Sequence, residues 1–141
     1  QAKRALATEL GADLVLDSAT DVTGAVLEAT GGAGVDVVID HVGSATWSQS
    51  LAVLGVGGRL VTLGNTSGDA VEMSLRSLFH RRIAVLGAGA YTPTEFESVL
   101  SVFAENRMTV VRAAAYPLAE TSHAMQRQDS RDLIGKLVIE P

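Results

Sequence analysis

The chain contains no cysteine. Disulfides and thiolate metal sites are therefore excluded within these residues, and residence in the reducing cytoplasm is expected. No apolar run reaches the ~20 residues that a membrane-spanning helix requires. No stretch reads as a signal peptide. Basic residues are outnumbered, and the formal net charge is −5. A broad surface for nucleic acid or anionic membrane is not expected on such a chain. Aromatic residues are scarce, at 4%.

What is present suits an α/β protein. The 141 residues fit one domain with a real core, 47% are hydrophobic, and there are 14 glycines for tight strand–helix turns. Ala2, Leu6 and Leu10 share one helical face, with Gly11 as a stop. Ala12–Asp17 reads as a short strand. Asp21 caps a helix carrying Val22, Val26 and Ala29, and Gly31-Gly32 ends it. Val35–Asp40 is apolar at consecutive positions, which predicts a parallel strand buried on both faces. A helix over Ser44–Leu54, a strand over Gly57–Gly64, a short helix over Leu75–Arg81 and a strand over Ile83–Gly87 follow. The basic cluster His80-Arg81-Arg82 suits the C-terminus of that short helix. Thr92-Pro93-Thr94-Glu95 spells a capping box, and Phe96, Val99, Leu100 and Phe103 then repeat at helical spacing. Val110–Tyr116 reads as extended, Leu118–Gln128 as helix and Lys136–Ile139 as a last strand. Strict strand–helix alternation predicts a doubly wound parallel sheet.

Ligands of such sheets bind beyond the carboxyl ends of the strands. Three loops stand there: Asp40–Gly43, Leu63–Gly68 and Leu86–Gly89. Their glycines allow backbone to approach a flat ligand, or merely make tight turns. Asp40 either hydrogen-bonds a ribose or caps the following helix. His41 has a near-neutral reference pKa but no Ser, Cys or Asp at motif spacing, so no catalytic residue is assigned. His123 is expected on a helix surface. Asp17, Asp21, His41 and His80 lack metal-ligand spacing, and no metal site is assigned. By position alone, Lys136 is a solvated strand-end lysine.

Six segments carry a resemblance: ELGAD (Glu9–Asp13), TGGAGVDVVIDHVG (Thr30–Gly43), SLAVLGVGGRLVTLG (Ser50–Gly64), LRSLFHRRIAVLGA (Leu75–Ala88), YPLAE (Tyr116–Glu120) and GKLVIEP (Gly135–Pro141). In this order they resemble the coenzyme domain of the medium-chain dehydrogenase/reductase family, which includes zinc-type alcohol dehydrogenases and quinone oxidoreductases. The resemblance implies hydride transfer between NAD or NADP and an alcohol, carbonyl, quinone or enone. It implies that Asp40, His41 and Val42 flank the adenosine or the middle of the cofactor. Leu63, Gly64 and Asn65 would lie along the nicotinamide ribose and ring, and Leu86, Gly87 and Ala88 near the carboxamide. Lys136 would contact cofactor phosphates, and Lys3 the 2′-phosphate of NADP.

The family pattern opens with a strand, a glycine-rich turn, a helix and a second strand, and none of these precedes Gln1. Residues 1–141 are therefore expected to be a partial dinucleotide-binding domain, truncated at the N-terminus. The first two strands, the glycine-rich loop, and the GroES-like catalytic domain with any zinc would be absent. Such a piece is expected to be inactive alone. In the order 3-2-1-4-5-6, Ala12–Asp17 would be strand 3 and Val35–Asp40 strand 4, about 14 Å apart. The N-terminal segment would then pair elsewhere or exchange between two chains, or the whole piece would be an excised fragment of a longer chain. The resemblance also implies a homodimer through the edge strand 83–87. Two other readings stand beside the oxidoreductase: a dimerisation or scaffold module without cofactor, and a methyltransferase core, suggested by Asp40 and the turn within Leu54–Val61.

Overall fold

The computed structural model describes residues 1–105, 108–130 and 133–141. It divides into two compact units, Gln1–Ala90 and Tyr91–Pro141. The first contains helices α1 (Ala2–Glu9) and α2 (Val22–Ala29), strand β1 (Val35–Asp40), helix α3 (Trp47–Ala52), strand β2 (Leu54–Thr62), helix α4 (Leu75–Arg81) and strand β3 (Ala84–Gly87). The second contains helix α5 (Pro93–Ala104), strand β4 (Arg112–Pro117), a 3-10 turn (Leu118–Glu120), helix α6 (Thr121–Gln128) and strand β5 (Lys136–Glu140).

The α/β class and the parallel pairing are as the alternation predicts. Sheet order is β1-β2-β3 in the first unit and β4-β5 in the second, with every described ladder parallel. The strands are thus shared between two sheets. Local signals start the helices where expected. The Asp21 carboxylate accepts from Gly24 N at 2.9 Å, and Ser74 Oγ accepts from Ser77 N at 3.2 Å. Thr92 and Glu95 form the reciprocal capping box at the head of α5. Each cap satisfies amides that the first helical turn leaves without partners. His123 is exposed on α6, edge-on to Tyr116.

The core of the first unit is Trp47, Leu54, Leu60 and Ile83, with Val38, Leu51, Leu78 and Val85 packed against it. Leu60 is fully buried on β2, the central strand of the sheet. Helices α3 and α4 therefore cover the sheet face that Leu60 occupies.

Four expectations need correction. Val35–Asp40 is not buried on both faces: Val37 and Ile39 are exposed while Asp40 is buried. The register aligns Ile39 with Val61 and Val61 with Leu86, and this row lies opposite the α3–α4 face. Ala12–Asp17 forms no described ladder. It is held instead by Ala12 N to Ala7 O at 3.0 Å and by an Arg4–Asp17 ion pair at 3.0 Å. An apolar stretch becomes a strand only with a neighbour to pair with. Helix α3 starts at Trp47 rather than Ser44, because Ser44 N donates to Gly68 O at 3.1 Å and residues 43–46 form a turn. The strand expected from Gly57 already begins at Leu54.

The basic cluster stands at the end of α4 as expected, and Arg81 does more. Arg81 donates to the carbonyls of Leu51, at 3.1 Å, and Leu54. Its charge serves the C-terminal end of α3, not only that of its own helix. Arg82 closes α4 in the left-handed region, at φ 54.

Candidate functional site

The loops after β1, β2 and β3 stand at the carboxyl ends of three parallel strands. Asp40 organises the first. Its carboxylate accepts from Val42 N at 2.8 Å and Gly43 N at 3.0 Å. It also accepts from Thr46 Oγ1 at 2.8 Å and Ser50 Oγ at 2.6 Å. Burial alone would raise its pKa, but the hydrogen bonds from Ser50, Gly43, Thr46 and Val42 outweigh burial and lower it from 3.8 to about 2. The two amides belong to the loop before α3, whose N-cap is Thr46, so Asp40 braces that loop and is not the cap of the helix. Sequence reasoning missed Thr46 and Ser50. Their signal was two hydroxyls four residues apart at the head of a helix that follows an aspartate.

The second loop locks onto the first. Ser67 N and Ser67 Oγ both donate to Val42 O at 2.8 Å. Ser67 Oγ accepts from Ala45 N at 2.9 Å, and Ser44 Oγ donates to Ser67 O at 2.8 Å. Gly64 is required by close approach, since an added Cβ would lie 2.6 Å from His41 O.

Between the second and third loops is an open cleft of about 350 Å³, lined by Thr62, Leu63, Gly64, Asn65, Gly87, Ala88 and Gly89. Five residues assigned from sequence (Leu63, Gly64, Asn65, Gly87 and Ala88) meet here; Thr62 and Gly89 complete the wall. Ala88 N donates to Thr62 O at 2.8 Å and anchors the third loop. Gly87 and Gly89 differ from Gly64. Like Gly64, neither has a positive φ, but a Cβ on either would meet nothing within 4 Å. Neither turn geometry nor packing in this chain requires glycine at these positions. They leave room for a flat ligand against the backbone. No lining side chain is an acid or a base, so the cleft can bind and orient but not move protons.

Asp40, His41 and Val42 line a separate cavity of about 160 Å³ with Ile39, Thr46, Gln49 and Ser50. Leu86 lies outside the cleft lining and is exposed on β3. Lys3 is exposed on α1, and Lys136 is exposed at the start of β5 in the second unit. Lys3 does not line the cleft. Among the described residues no group of three or more His, Cys, Asp or Glu is placed to hold a metal ion, and no helix is long and apolar enough to cross a membrane.

Parallel strands joined through helices, with a glycine-lined cleft beyond their carboxyl ends, define a Rossmann-like α/β domain. The family model described as zinc-binding dehydrogenase matches residues 1–105, and the chain belongs to that family, within the medium-chain dehydrogenases/reductases. A quinone oxidoreductase of Pseudomonas aeruginosa is 31% identical over 150 residues, covering 99% of this chain and 46% of the relative. An acryloyl-coenzyme A reductase of Metallosphaera sedula is 29% identical over 106 residues, covering 74% of this chain and 32% of the relative. The solved structure of an alcohol dehydrogenase from Aeropyrum pernix superposes with a TM-score of 0.84 at 27% identity, over 98% of this chain and 40% of that one. The chain thus spans less than half the length of these relatives.

Proposed function

We propose that residues 1–141 are part of the NAD(P)-binding domain of an oxidoreductase acting on an alcohol, carbonyl, quinone or enone. The observation that carries this reading is the cleft walled by Leu63–Asn65 and Gly87–Gly89, where two glycines keep space that the chain's own packing does not use. Leu63, Gly64 and Asn65 would lie along the nicotinamide ribose and ring. The backbone of Leu86, Gly87 and Ala88 would meet the carboxamide. Asp40 acts indirectly, holding the loop of His41 and Val42 that flanks the rest of the cofactor. Lys3 would neutralise phosphate charge. A bound nicotinamide would supply the hydride chemistry. The cleft side chains supply binding and orientation, so binding without turnover is expected of this chain alone. The cysteine-free composition goes with a cytoplasmic location. Among the described residues strand β3 ends the three-stranded sheet, and that edge suits pairing with a second copy across a two-fold axis.

The test is an NMR titration of the isotope-labelled chain with millimolar NADH and NADPH. Amide shifts should cluster on Leu63–Asn65 and Gly87–Gly89, without turnover of alcohols, quinones or enones. No shifts, or shifts only elsewhere, would reject the reading. A response at the same residues to S-adenosylmethionine alone would move the assignment to a methyltransferase.

A further inference from the structure

The two walls of the cleft are held in different ways. The Gly87–Gly89 wall is anchored by Ala88 N to Thr62 O. The Leu63–Asn65 wall continues into a turn closed by Gly68 N to Asn65 O at 3.0 Å, and that turn is clamped onto the neighbouring loop. Ser67 is the centre of the clamp. Its hydroxyl donates to Val42 O at 2.8 Å and accepts from Ala45 N at 2.9 Å, so both capacities of one oxygen are used across the gap. Ser44 Oγ returns a bond to Ser67 O. Gly43 and Gly68, where the loops touch, take φ values of +96 and +131. A Cβ on Gly68 would lie 2.7 Å from Ser44 Oγ. On the far side, Asp40 fixes Val42 N and Gly43 N. A continuous path of hydrogen bonds therefore runs from the buried carboxylate, through Val42 and Ser67, to the turn that carries Asn65.

We propose that Ser67 is a positioning residue for ligand binding: its hydroxyl holds the Leu63–Asn65 wall at a fixed spacing from the Gly87–Gly89 wall. This rests on the reading of the cleft as a nicotinamide-cofactor site. Ser67 lines neither the cleft nor the smaller cavity, so it acts through the backbone and not by touching the ligand. Preorganising one wall spares the ligand the cost of ordering it. Loss of the two bonds of the hydroxyl should weaken binding about tenfold.

The experiment compares wild type, Ser67→Ala and Ser67→Thr, first without ligand and then with NADH. Without ligand, amide exchange should quicken in Ser67→Ala over residues 42–45 and 63–68 and stay unchanged at Gly87–Gly89. With NADH, the shifts at Leu63–Asn65 should shrink while those at Gly87–Gly89 persist at the higher ligand concentration. Threonine keeps the hydroxyl, and its methyl is tolerated at this exposed position, so Ser67→Thr should restore both readouts. Unchanged exchange in Ser67→Ala, NADH shifts equal to wild type, or equal loss on both walls at saturating NADH would each overturn the proposal. Failure of threonine to rescue would also overturn it. A wild-type chain silent to NADH but with the expected exchange change would reject the cofactor reading and this role with it, whereas a responsive wild type matched by Ser67→Ala would reject this role alone.

Discussion

Replacing Asp40, the one carboxylate of the three loops, should destabilise this protein markedly. The residue is 4% exposed, and its carboxylate accepts four hydrogen bonds. In Asp40→Ala the hydroxyls of Thr46 and Ser50 can turn toward other acceptors. The amides of Val42 and Gly43 cannot turn, and each orphaned amide costs about 1–3 kcal/mol. Adding the small cavity gives a loss of about 3–5 kcal/mol. Asp40→Asn keeps the shape. Its carbonyl can face the two amides and its NH2 the two hydroxyls, which accept as readily as they donate, so a loss of about 1–2 kcal/mol is expected. The charge adds a pH signature. A pKa lowered from 3.8 to about 2 contributes on the order of 2 kcal/mol of stability above the unfolded value. That contribution fades as the pH falls from about 4 toward 2, and roughly half is gone near pH 3. Asp40→Asn has no such group, so its deficit against wild type should narrow by about 1 kcal/mol between pH 7 and pH 3. Urea unfolding followed by fluorescence reads this directly, because the single tryptophan, Trp47, lies buried in the core on the adjoining helix. The reasoning fails if Asp40→Ala unfolds within about 1 kcal/mol of wild type at pH 7, or if the asparagine deficit is the same at both pH values.

The two kinds of cleft glycine should separate cleanly. Gly64→Ala drives a Cβ against His41 O and should lower stability by about 1–3 kcal/mol, whereas Gly87→Ala should melt like wild type and lose NADH binding; thermal melts and the NMR titration score both. Arg82→Gly removes the cost of a left-handed non-glycine residue at the end of α4 and should be neutral or stabilising by up to about 1 kcal/mol, and a destabilised variant would mean that the Arg82 side chain contributes more than its backbone costs.

Much of this protein is written locally. Thr92 and Glu95 are three residues apart, as are Asp21 and Gly24, and each pair makes its cap within one turn. Such signals need nothing distant, so they are legible in the sequence alone. The motifs from Glu9 to Pro141 likewise suffice to identify the family, since order and residue type survive without coordinates. The five assigned cleft residues are legible because strand ends and glycines mark them. The clamp is not legible: Ser67 meets Val42, Ala45 and Ser44 across 25, 22 and 23 residues, and no local pattern encodes which loops will touch. The role of Asp40 turns on Ser50, ten residues away, brought back by a helix that starts later than its periodicity suggests. Ala12–Asp17 has the composition of a strand and lacks a described partner, and the exposed row through Ile39 lies opposite the face that α3 and α4 cover. Sequence by itself determined most of the elements, the caps of α2 and α5, and the family, because those signals are carried by residue type and by neighbours within a turn. Tertiary structure alone decided which apolar stretch became a strand, which face was covered, and which aspartate was consumed inside the fold, because ladders, layers and buried carboxylates are completed only by residues far along the chain.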